Sequence, residues 1–120
     1  MKRQESIEDY LETILTLTNR LNKVRSIDIV NEMGYTKPSV SIAMKNLREK
    51  NLIRMAPDGY ITLTAEGEKL AKNVYERHTV LTEALVRIGV PEEIAMEDAC
   101  RVEHDISEVT FGKIKAFLLH

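Results

Sequence analysis

A chain of 120 residues, 43% hydrophobic and 30% charged, is long enough for one compact unit or a small domain with an appendage, and its charge suits a soluble protein. No apolar run approaches the ~18 residues of a bilayer-spanning helix, and the opening MKRQESIEDY is too polar for a signal peptide, so a membrane partner is not expected and a cytoplasmic location is. A single cysteine cannot close an internal disulfide, and the net charge of −2 conceals an asymmetry: eight Lys/Arg against three Asp/Glu from Arg20 to Arg54, four against eight from His78 onward.

In chain order, Ser6 is placed to cap a first helix whose Ile7, Tyr10, Leu11, Ile14 and Leu15 share one face. After the basic turn NRLNKVR, SIDIVNEMGY reads as a short helix capped by Ser26 and stopped by Gly34. A third helix begins at the Thr36 cap, with Pro38 in its first turn, and turns Val40, Ala43, Met44 and Leu47 inward. Two β-prone runs around Pro57-Asp58-Gly59 form a hairpin. Thr64 then caps a long helix to about Ile88, with Leu70, Val74, Leu81, Leu85 and Ile88 on its buried stripe. Gly89 ends it, Pro91 starts another helix reaching about His104, and Ser107 caps a last one through Phe117.

The expected fold class is therefore mostly α with a small β-hairpin wing, in the order of a winged helix-turn-helix. With its apolar face inward, the third helix presents Pro38, Ser41, Ile42 and Lys45, a small polar and methyl-bearing surface that fits a major groove. The hydroxyls of Thr36, Ser39 and Ser41 suit base edges or phosphates, and Ile42 suits a thymine methyl. Lys37, Lys45, Arg48 and the wing's Arg54 can neutralise phosphates of double-stranded DNA. The competing reading is a winged helix used only for protein contacts.

Three places carry potential metal ligands. Asp9 and Glu12 stand on one helical face, although acids near a helix N-terminus also serve the dipole, and Ser6-x-x-Asp9 is like a capping box. His78 lies between Val74 and Leu81 at the edge of an apolar stripe, where a core histidine is the alternative. In CRVEH, Cys100, Glu103 and His104 at i, i+3 and i+4 offer a thiolate, a carboxylate and an imidazole to one cation; a buried cysteine beside two surface residues is the alternative.

SIEDYLETI, the winged helix, VYERHTVLTEAL, VPEEIAMEDACRVEHDIS and the terminal helix, in this order and spacing, resemble the diphtheria-toxin-repressor family of metal-dependent transcriptional regulators. That resemblance implies a winged-helix DNA-binding domain over residues 1–72, a helical metal-binding and dimerisation domain over 73–120, and divalent-metal sites made by both. It further implies a ligand set of Asp9, Glu12, His78, Cys100, Glu103 and His104. Asp9 and Glu12 match the manganese-responsive branch, Cys100 matches the iron-responsive one, and His78, Glu103 and His104 suit both. Thr82 and Met96 occupy positions where the iron branch has ligands of a second site, and Ile42 replaces a polar recognition residue. The expected form is the short one, without the family's SH3-like domain.

The implied cofactor is Mn²⁺ or Fe²⁺, with Co²⁺ or Zn²⁺ acceptable in vitro, because carboxylate and imidazole suit the former and one thiolate shifts preference toward softer ions. A homodimer would space two recognition helices for a palindromic operator about 34 Å from centre to centre. Ile94 and Val102 are the apolar residues expected to join the copies. The expected function is a metal-dependent regulator, in the role of repressor, of manganese or iron homeostasis genes. Its rivals are a metal-independent winged-helix regulator sensing an organic ligand or redox state, and a small metallohydrolase. The hydrolase lacks a separate general base and leaves the reading head without a role, so no enzyme is expected.

Overall fold

The computed structural model describes residues 3–119, with side chains from Ile7 to Leu119. The chain divides into two compact units, Met1–Lys72 and Asn73–His120. The first holds α1 (Arg3–Leu21), α2 (Ser26–Met33), α3 (Lys37–Glu49), β1 (Ile53–Met55), β2 (Ile61–Leu63) and the start of α4 (Ala65–Arg87). The second holds the rest of α4, α5 (Glu92–Val102) and α6 (Glu108–Leu118).

α1 buries Tyr10, Leu11, Ile14 and Leu17 at helical spacing against Ile29 of α2, Val40, Met44 and Leu47 of α3, and Ile53 and Ile61 of the hairpin. Each fully buried aliphatic side chain contributes roughly 1.5–3 kcal/mol relative to exposure, so this cluster is what holds the first unit together. α1 already runs from Arg3, which leaves Ser6 inside the helix rather than at its cap; the Ser6 side chain lies outside the described residues. Nor is Ser26 the cap of α2. Arg25 takes that position in an extended conformation, φ −120 and ψ 166, and its N–H donates to Asp28 Oδ2 at 2.9 Å. The side chain at the third helical position reaches back to the chain entering the helix, and Ser26 becomes the first helical residue.

Gly34 sits at φ 72, the left-handed conformation that ends α2 at little steric cost. The Thr36 hydroxyl accepts from Ser39 N–H at 3.2 Å and Pro38 lies in the first turn, so α3 starts as its sequence indicates. The strands pair antiparallel with Ile53 opposite Leu63, Arg54 opposite Thr62 and Met55 opposite Ile61. Alternation sends Ile53 and Ile61 into the core and leaves Arg54 and Thr62 exposed. The Thr64 hydroxyl caps α4 through Gly67 N–H at 3.0 Å. A Cβ at Gly67 would stand 2.0 Å from the Leu52 carbonyl oxygen, so this close approach of helix to hairpin requires glycine.

In the second unit Val74, Leu81, Ala95, Ala99 and Phe111 are buried, and polar bridges tie α4 to α6. Lys115 Nζ meets Glu76 Oε2 at 3.0 Å, and Arg87 Nη1 donates to the Leu118 carbonyl at 3.0 Å. One expectation fails here. Ile88 is 76% exposed, because the chain turns at Gly89 (φ 107) and carries Ile88 off the buried stripe. α5 runs to Val102 and Glu103 caps it in helical conformation, its N–H on the Ala99 carbonyl at 2.9 Å, so the helical path ends next to His104. No helix among the described residues is long and apolar enough to cross a membrane.

Candidate metal centre and nucleic-acid interface

Glu103 caps α5 with helical dihedrals, φ −57 and ψ −26, and its N–H donates to the Ala99 carbonyl at 2.9 Å, so it still shares a face with Cys100 three residues earlier, while the chain turns at His104. The Glu103 side chain is fully buried, with Oε2 3.1 Å from His78 Nδ1 on α4. Its other oxygen, Oε1, lies 3.4 Å from Nε2 of His104, whose side chain is 5% exposed, but makes no hydrogen bond. Cys100 is exposed on α5, and its Sγ comes within 4.8 Å of a Glu103 carboxylate oxygen. One carboxylate is thus approached by an imidazole, a second imidazole and a thiol.

A buried carboxylate with one oxygen lacking a donor is costly, and native interiors rarely tolerate it without a reason. Imidazoles and a thiol around one carboxylate are donor chemistry suited to a first-row divalent cation, and a cation supplies the charge that Oε1 lacks. The residues present therefore fit a metal. Asp9 and Glu12 are both half-buried on α1, three residues apart and on one face.

Arg77, the neighbour of His78, holds the turn in place. Its Nη1 donates to the carbonyls of Glu103 (2.9 Å) and Ile106 (3.0 Å), its Nη2 reaches the Glu108 carboxylate, and its guanidinium lies 5.2 Å from the Phe111 ring centroid. With a side chain only 12% exposed, it fastens the segment carrying Glu103 and His104 to α4. Periodicity alone missed Arg77, since an arginine beside a candidate ligand reads as a solvated charge. The only sequence signal was its place next to His78.

In the first unit, Thr36, Lys37, Pro38, Ser39, Ser41, Ile42, Lys45, Arg48 and Arg54 are all exposed, the first eight along α3 and its cap, the last on β1. Ile42 is 63% exposed, a large aliphatic side chain with no packing role in the core. The Thr36 hydroxyl also donates to Ser39 Oγ at 2.9 Å, so these two hydroxyls order the start of α3.

Two family models match this chain: iron dependent repressor, N-terminal DNA binding domain, over residues 3–61, and iron dependent repressor, metal binding and dimerisation domain, over residues 64–120. The chain belongs to the iron-dependent repressor family. The resemblance to the diphtheria-toxin repressors, and the mostly α fold with a hairpin wing, are thereby borne out. The chain is 39% identical over 115 residues to the transcriptional regulator MntR of Escherichia coli O6:H1, covering 96% of the chain and 74% of the relative. It is 32% identical over 105 residues to the iron-dependent repressor IdeR of Mycobacterium tuberculosis, covering 87% of the chain and 46% of that protein. A solved manganese-dependent transcriptional repressor in complex with manganese matches with a TM-score of 0.85 and 27% identity, covering 93% of this chain and 52% of that one. The chain spans about half the length of such solved structures. The family is one of transcriptional repressors, which are not enzymes.

Proposed function

We propose that the chain is a divalent-metal-dependent, DNA-binding transcriptional repressor of manganese or iron homeostasis genes, acting as a homodimer in the cytoplasm. The observation that carries the metal half is Glu103, a fully buried carboxylate with one oxygen lacking a donor beside His78, His104 and Cys100. Mn²⁺ or Fe²⁺ bound there would supply positive charge against the carboxylate and thiolate groups. Glu103, His78, His104 and Cys100 would hold it from the helical unit, joined by Asp9 and Glu12 from α1. By sharing a cation with the helical unit, Asp9 and Glu12 tie the reading head to the dimer core, and without it those acids repel one another. The division near residue 72 supports a boundary between a DNA-reading unit before it and a unit for dimerisation and most of the metal ligands after it.

Thr36, Pro38, Ser39, Ser41 and Ile42 would face the major groove, and Lys37, Lys45, Arg48 and Arg54 the phosphates. This assignment is supported by their shared exposure and the basic excess of their segment. In a twofold dimer two such helices address half-sites about 34 Å apart, hence a palindromic operator. Ile94 (50% exposed) and Val102 (39%) are apolar surface for the second copy to cover. Reading heads free to sample other spacings would bind more weakly by the fraction of time they fit.

The test is a Co²⁺ titration of chelator-stripped protein alongside DNA binding with and without chelator. A sulfur-to-cobalt charge-transfer band lost in Cys100→Ser places the thiol on the metal. Affinity for DNA unaffected by chelation would refute the switch.

A further inference from the structure

In the reading head Val24 forms a bridge to Ile61, whose N–H donates to the Val24 carbonyl at 2.7 Å. Extended chains alternate their side chains. Val24 and Ile61 are therefore both buried, and Lys23, Arg25 and Tyr60 fall on the outer side. There Lys23 Nζ lies 5.0 Å and Arg25 Cζ 4.3 Å from the centroid of the Tyr60 ring. Two cations share one aromatic ring.

The acids beside them in the chain do not neutralise them. Asp28 Oδ2 accepts the Arg25 backbone N–H at 2.9 Å, and Asp58 Oδ1 accepts that of Tyr60 at 3.3 Å. Among the described residues neither Lys23 nor Arg25 has a carboxylate within ion-pair distance. Like charges gathered this way, neither of them ion-paired, attract an anion. The ring also limits the rotamers of both long side chains, so part of the ordering that binding demands is already present.

We propose that Lys23 and Arg25, steadied on Tyr60, form a phosphate-binding site beside the turn of the wing that grips the DNA backbone outside the recognition helix. Tyr60 is the positioning residue and the two cations make the contact. The site rests on the DNA-binding reading above. Its ligand is a duplex phosphodiester because the site is exposed, lies in the same unit as α3, and belongs to the basic stretch between Arg20 and Arg54.

The experiment uses a duplex enriched from a randomised pool by the Mn²⁺-loaded full chain, with affinity measured across a range of NaCl concentrations. Each phosphate contact contributes about 0.9 to the slope of log K against log salt. Lys23→Gln and Arg25→Gln should each lower the slope by about that amount and weaken all enriched sequences alike. Tyr60→Leu should weaken binding and Tyr60→Phe restore it, because the ring face and not the hydroxyl holds the cations. Thermal unfolding of each variant checks that it folds, and the two glutamine variants decide the matter if Tyr60→Leu does not. A Lys23→Gln/Arg25→Gln double variant with the wild-type slope, while Lys45→Gln lowers it, overturns the site and leaves the DNA reading standing. Failure of the wild-type chain to enrich any duplex overturns both.

Discussion

Replacing Glu103 by glutamine separates a metal ligand from a structural carboxylate. The side chain is fully buried, with one oxygen bonded to His78 Nδ1 at 3.1 Å and the other without a hydrogen bond. An amide keeps the shape and can keep the His78 bond, yet removes a charge whose burial costs several kcal/mol before compensation. Metal-free protein should therefore be unharmed, or more stable by about 1–2 kcal/mol. With Mn²⁺ at about 100 times its dissociation constant, the wild type gains about 2.7 kcal/mol from binding, and a variant weakened about 100-fold gains only about 0.4 kcal/mol. For a chain of this size the wild-type gain corresponds to a rise in Tm on the order of 10 °C. Thermal unfolding of both proteins, in chelator and in Mn²⁺, makes the comparison. An equal Mn²⁺-induced shift in the variant would refute the ligand role, and a metal-free loss above about 2 kcal/mol would mean the carboxylate is structural.

Arg77→Met should cost about 2–3 kcal/mol in urea unfolding and speed hydrogen exchange in the 103–106 turn, because two part-buried carbonyls lose a charged donor. A loss under about 1 kcal/mol would show that the turn holds without it. Gly67→Ala should destabilise by about 1–3 kcal/mol or more, since the new Cβ would meet the Leu52 carbonyl oxygen at 2.0 Å; an unchanged denaturation midpoint would contradict that close approach. Burial, with a smaller contribution from Tyr35, pushes the Tyr10 hydroxyl above its ordinary value of 10.0. Folding then favours the neutral phenol, so this contribution is intact below about pH 10 and is lost as pH rises through the elevated value. Absorbance titration at alkaline pH should show one late phenol that disappears in Tyr10→Phe.

Local chemistry was legible in the sequence wherever it depends on neighbours in the chain. The caps at Thr36, Thr64 and Ser107, the left-handed Gly34, the hairpin around Pro57-Asp58-Gly59 and the inward face of Val40, Met44 and Leu47 all arise from spacing and residue type. Ser26 and Ile88 misled because their positions depend on what the chain does next: Asp28 reaches back to Arg25, and Gly89 turns Ile88 outward. The candidate ligands were visible as residue types, but the burial of Glu103 was not. It depends on partners distant in the chain: Arg77, 26 residues earlier, holds the Glu103 carbonyl, and His78 meets its carboxylate. Lys23, Arg25 and Tyr60 likewise become one surface only through the Val24–Ile61 bridge. Periodicity and caps act over a few residues and are written in the chain, whereas burial of a charge and the sharing of a ring by two cations are set by groups that only folding brings together.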